Sequence, residues 1–92
     1  MDSVPFTYQP TCDSPGCDRP AIYKIAAEWT YGDLSELKNY GMACDACVKD
    51  RLESARRRRE GIRLAEGEQL GPIGAYRLMP GVRDRDLPKV EV

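Results

Sequence analysis

The sequence predicts a small α+β fold, and three observations predict it. Four cysteines stand in two close pairs, Cys12/Cys17 and Cys44/Cys47. An alternating apolar run, AIYKIAAEW over residues 21 to 29, lies between the pairs. A helical apolar pattern follows directly after the second pair. One strand signal and one helix signal in 92 residues describe one domain and not two.

Taken in order, residues 1 to 11 carry Pro5 and Pro10 and are expected as an extended N-terminal arm. CDSPGCDRP, residues 12 to 20, is turn-forming throughout, and Pro15-Gly16 suits a tight turn with Gly free to take a positive φ. The alternation in 21 to 29 puts Ala21, Tyr23, Ile25, Ala27 and Trp29 on one face of a strand. Lys24 and Glu28 fall on the other face, beside Ile22 and Ala26. Trp29 is expected to be the largest single contributor to the core. Gly32-Asp33 marks a loop, residues 33 to 38 suit a short helical turn, and Tyr40 to Ala43 suit a second short strand.

A helix is expected from Asp45 to Arg59. Asp45 suits the N-cap or first turn, where negative charge meets the positive end of the dipole. Val48, Leu52 and Ala55 recur at i, i+4 and i+7 as one apolar stripe, basic residues crowd the last turn, and Gly61 follows as a C-cap. Five glycines and three prolines break residues 61 to 92, which form a C-terminal extension. Within it 73 to 78 are expected as a short strand, and the last ten or so residues as a mobile tail.

The cysteine spacing is C-x4-C, then 26 residues, then C-x2-C. A four-coordinate zinc ion needs sulfurs converging on a tetrahedron at about 2.3 Å, and two short turns brought together by strands supply that. Cys44 and Cys47 fall at the expected helix start, where free N–H groups and the dipole favour thiolate. A redox C-x2-C of the thioredoxin kind needs a βαβ context and no second pair. Two disulfides imply secretion, and residues 1 to 10 lack the basic and apolar regions of a signal peptide. An iron–sulfur centre also takes four cysteines. The chain has no histidine, so zinc on Cys12, Cys17, Cys44 and Cys47 leaves no position for water. Such a site is closed and structural, where a catalytic one stays open.

The order of knuckle, β-hairpin and helix resembles the treble-clef class of zinc fingers. The matching stretches are CDSPGC with AIYKIAAEW, and YGMACDACVKDRLESA. The resemblance covers residues 12 to about 58, within an expected zinc module over residues 12 to 60, and implies Cys12 and Cys17 as knuckle ligands and Cys44 and Cys47 as helix ligands. The first pair departs from the commoner two-residue spacer. Treble clefs serve DNA, RNA and protein partners, so the resemblance implies fold and metal, not function.

Charge excludes little: 14 basic and 15 acidic residues leave a net of −1. Four thiolates on one Zn²⁺ would add about −2. Arg56, Arg57, Arg58 and Arg59 are the one charge run, a candidate for phosphate contact on nucleic acid. Four consecutive residues span more than one helical turn, though, and cannot all face one partner. Glu53 and Glu60 are placed to pair with some of them. Ser14, Ser35 and Ser54 have no histidine for a triad, and no carboxylate pair stands out. Phe6, Tyr8, Tyr31, Tyr40 and Tyr76 show no stacking-platform spacing. No stretch approaches the roughly 20 apolar residues of a membrane helix. The expectation is a cytoplasmic, non-catalytic, zinc-stabilised binding or adaptor module with a protein partner. Nucleic-acid binding through the basic helix end is the alternative.

Overall fold

The computed structural model describes residues 10–92; residues 1 to 9 of the expected arm, with Phe6 and Tyr8, lie outside them. Its centre is an antiparallel hairpin of strand β1 (Tyr23–Tyr31) and strand β2 (Leu34–Ala43), joined by the two-residue turn Gly32-Asp33. Helix α1 (Val48–Glu60) follows, then β3 (Glu68–Leu70), β4 (Gly74–Arg77), a 3₁₀ turn at Asp84–Asp86 and β5 (Lys89–Val90).

Strand β1 is the axis of the sheet. One of its edges pairs along its whole length with β2. The other pairs with β4 over Tyr23 to Ala26 and with β3 over Trp29 to Tyr31. Between these pieces the Gly71 N–H donates to the Glu28 carbonyl at 2.8 Å. Pro72 has no N–H to continue the ladder, so one line of chain reads as two short strands. β5 then adds outside β4.

The second strand is longer than the sequence suggests, and the helical turn expected at 33 to 38 is part of it. A lone helical turn fixes three residues for one hydrogen bond. The tight turn instead lays Leu34 to Asn39 opposite β1, where each ladder pair is immediate, and a bulge at Tyr40 precedes the pairs of Gly41 to Ala43. The helix begins later than expected. Asp45 is exposed in a turn, and Cys47 is the N-cap. Gly61 does stand at the C-cap, but with φ −91°, a conformation any residue adopts.

Both faces of the sheet are covered, which explains why β1 is apolar on both. On one face α1 sets Val48, Leu52 and Ala55 against Ile25, Ala27, Ala43, Ile73 and Ala75. On the other, Ala26 packs with Tyr76 and Leu87, beside half-buried Leu37, Leu78 and Val82. Residues 82 to 92 are thus not a free tail, because Leu87 is buried and Lys89–Val90 pair with β4. Lys24 on this face is 6% exposed and donates to Asp84 Oδ2 at 2.6 Å. Trp29 does not enter the core. It lies toward the turn end of β1, and its Nε1 donates to Glu68 Oε2 at 2.9 Å. The largest fully buried side chain among the described residues is Ile25.

Candidate metal centre

Each cysteine pair is placed by a separate local device. In the knuckle, the Cys12 N–H donates to the Arg19 carbonyl at 2.9 Å, and a bridge between Thr11 and Pro20 closes its base. The Cys17 N–H turns back to the Ser14 carbonyl at 3.0 Å. Gly16 makes that turn at φ +77°, the left-handed conformation that favours glycine. The second pair sits where β2 runs out. Ala43 is its last residue, and a turn from the Cys47 N–H to the Cys44 carbonyl at 3.2 Å leads into α1.

Asp13 joins the two halves. Its N–H donates to the Met42 carbonyl at 3.0 Å, and its Oδ2 accepts from the Met42 N–H at 2.7 Å. The carboxylate lies so close to β2 that a Cβ on Gly41 would meet Oδ2 at 3.0 Å. Gly41 has φ +141°, in the range that strains any other residue. Sequence reasoning reads Asp13 only as a turn residue. The available signal is a short carboxylate directly after a knuckle cysteine, able to accept from a backbone N–H brought near by folding.

The result is one cluster. The Sγ atoms of Cys12, Cys17, Cys44 and Cys47 all lie within 4.8 Å of one another. Cys17 Sγ and Cys44 Sγ are 3.8 Å apart. A tetrahedron with metal–sulfur bonds of about 2.3 Å has an edge of about 3.8 Å, so the donor set and spacing fit one zinc-sized ion. All four thiols are free, with no disulfide among them. Cys12 and Cys44 are buried, and Cys17 and Cys47 are partly exposed.

Two of the thiols, Cys12 and Cys17, are shifted in opposite directions. Burial pushes the Cys12 thiol up, but hydrogen bonds from the Ser14 and Cys44 backbone and the Ser14 side chain outweigh it, bringing it down to about 6. At Cys17 a backbone bond at Arg19 lowers the thiol, yet burial and the three neighbouring cysteines push it up to about 11. Sulfurs this close share charge poorly: one thiolate raises the cost of the next. A divalent ion removes that conflict and displaces the protons.

The arginines of the run face different partners. Arg59 Nε and Nη2 donate to the carbonyls of Gly71 and Leu70 at 2.7 and 2.5 Å, tying the helix end to the sheet. Arg58 Nη2 donates to the Tyr40 carbonyl, and its guanidinium lies 5.6 Å from the Tyr40 ring centroid. Arg57 pairs with Glu53 at 3.1 Å on the exposed helix surface. Arg56 is exposed.

Beside the helix end a cleft of about 450 Å³ opens between β1, β2 and the loop at 61 to 67. Trp29, Tyr40, Leu70, Ile62 and Leu64 are its apolar lining. Lys38, Arg58 and Arg63 bring positive charge to it, against Glu68 alone. Lys38 Nζ stands 5.1 Å from the Trp29 ring centroid. The cleft escapes sequence reasoning because its residues come from four separate segments, β1, β2, the end of α1 with its following loop, and β3.

Among the described residues no helix is long and apolar enough to cross a membrane. No protein-family model, no curated protein and no solved structure matches this chain.

Proposed function

We propose that this chain is a zinc-stabilised binding module of the treble-clef kind, in which one structural Zn²⁺ on Cys12, Cys17, Cys44 and Cys47 holds the knuckle to the start of α1. The carrying observation is the four-sulfur cluster. A centre of two or four irons needs its cysteines spread round a larger body than one ion, so sulfurs within 4.8 Å favour a single metal. With all four positions taken by sulfur and no histidine in the chain, the metal has no opening for substrate. The module works by binding, without catalysis.

The partner is a protein segment with an apolar side chain flanked by acidic residues, docked in the cleft beside α1. Exposed Ile62 and Leu64 with Trp29 supply the apolar contact, and Lys38 and Arg63 the complementary charge. Nucleic acid is the weaker reading, since Arg58 and Arg59 already serve carbonyls within the chain and Arg57 serves Glu53.

Two experiments test this. Elemental analysis of purified protein is expected to find one zinc per chain; iron in its place overturns the zinc assignment. An array of immobilised peptides with apolar anchors and acidic flanks is expected to bind the metal-loaded chain, and Leu64→Asp or Arg63→Glu to weaken it about tenfold or more. A random duplex or single-stranded oligonucleotide serves as control. Tight binding that falls steeply with salt and is lost when Arg56 to Arg59 become Ala would favour nucleic acid instead.

A further inference from the structure

Among the described residues no strand pairs with the outer edge of β2 over the stretch Ser35 to Asn39. The two-residue turn makes Tyr31 and Leu34 a hydrogen-bonded pair, so Leu34, Glu36 and Lys38 point their backbone groups at β1. Ser35, Leu37 and Asn39 therefore point theirs outward. The Glu28 carbonyl agrees: it bonds Gly71 on the far side of β1, so its partner Leu37 faces the open edge. Farther along, the edge is closed. Asp13 takes both backbone groups of Met42, and the Asn39 side chain accepts from the Gly41 N–H at 2.9 Å. Among the described residues no hydrogen bond occupies the outward groups of Ser35, Leu37 and Asn39.

We propose that this edge pairs with the same edge of a second copy of the chain, antiparallel about a two-fold axis at Leu37. Outward residues must meet outward residues, which restricts the registers. Setting Leu37 opposite Leu37 of the second copy also sets Ser35 opposite Asn39, and all three outward residues on each side find partners. In the same register Glu36 of each copy stands opposite Lys38 of the other. Shifting by one allowed step in one direction puts Glu36 opposite Glu36; the other direction puts Lys38 opposite Lys38. Both shifts also lose backbone bonds. Opposite charges directly across a strand pair stabilise it, and like charges oppose it.

Charges on an edge strand ordinarily block pairing. Here the Glu-Leu-Lys order is complementary to itself under two-fold rotation, so it blocks the wrong registers and permits one. Leu34, 60% exposed in the single chain, comes opposite Tyr40 of the second copy in that register. The inference does not involve the metal, and it shares Lys38 and Tyr40 with the lining of the cleft beside α1.

Sedimentation equilibrium of the metal-loaded chain tests it. The mass is expected to rise from 10.3 kDa to twice that value with concentration. Lys38→Glu or Glu36→Lys alone is expected to weaken the dimer about tenfold or more. Mixing the two single variants, or combining both in one chain, is expected to restore it. Because Glu36 stands opposite Trp29 and pairs with Lys38 at 3.3 Å within the chain, circular dichroism and urea unfolding, and not Trp29 emission, report whether each variant keeps the monomer fold. Ser35→Pro removes an outward N–H that β1 does not use, and is expected to give a folded monomer. A monomer at every concentration overturns the proposal. So does a dimer indifferent to the charge variants, or single variants that fail to complement each other.

Discussion

Asp13 and Glu68 each accept from donors that folding brings to them, a backbone N–H for Asp13 and both a backbone N–H and an indole N–H for Glu68. Asp13 holds the knuckle on the end of β2 through Met42, so it sets where Cys12 and Cys17 stand relative to Cys44. Partners that orient metal ligands are commonly worth a factor of 10–100 in affinity. Asp13→Ala is therefore expected to weaken zinc binding by about that factor in a chelator competition. Asp13→Asn, which keeps an acceptor for the Met42 N–H, stays near the original affinity. Glu68 accepts from the Ala65 N–H and from Trp29 Nε1, with Lys38 nearby, and these hold its carboxyl below the ordinary 4.5. A depressed folded value means the stabilisation is fully present above 4.5 and is lost as pH falls through the lowered value. An NMR titration of the Glu68 carboxyl is expected to centre below 4.5, and Trp29→Phe to move that midpoint up.

At the scale of the element, α1 depends on a short apolar stripe against a core built largely of alanine. Leu52 is its largest buried side chain, facing Ile25, Ala27, Ala43, Ile73 and Ala75 among others. Leu52→Ala is expected to cost about 2–5 kcal/mol in urea unfolding, from the lost burial and the cavity left beside Ile25 and Ile73. The other end of α1 is held differently, by Arg58 on Tyr40 and Arg59 on Leu70 and Gly71. The 3.6-residue pattern makes the stripe legible in the sequence, and the stripe predicts which face is buried. It says nothing of the arginines, because a guanidinium finds its carbonyls only after β2 and the 70 to 71 segment are in place. The alternation in β1 is legible too, but one covered face is all it reveals. Ala26 and Lys24 are buried by Tyr76, Leu87 and Asp84, which lie some fifty to sixty residues further along the chain.

For the whole molecule, the thin core makes the sulfur cluster decisive. Ile25 is the one large side chain fully buried among the described residues, and a domain of this size has little apolar area to spare. Structural zinc contributes on the order of 10 kcal/mol in small zinc domains, which exceeds the whole stability of many such folds. Chelation is expected to unfold the chain cooperatively, as loss of helical circular dichroism and of the native Trp29 emission. Cys44→Ser is expected to do the same, and a fully folded, metal-free Cys44→Ser protein would refute a structural metal. Because thiol protons compete with the ion, the metal-dependent stability is expected to fall as pH drops.

The sequence by itself determined the donors and the local elements. Two short cysteine turns, a strand between them, a helix after them and no histidine are all matters of neighbouring residues, and local spacing expresses them. Only the tertiary structure decided the surfaces. It placed Trp29 in a cleft instead of the core, drew Leu34 to Lys38 into an edge strand, and engaged Arg58 and Arg59 within the chain. Each of these depends on what stands across the sheet, at separations no local pattern encodes.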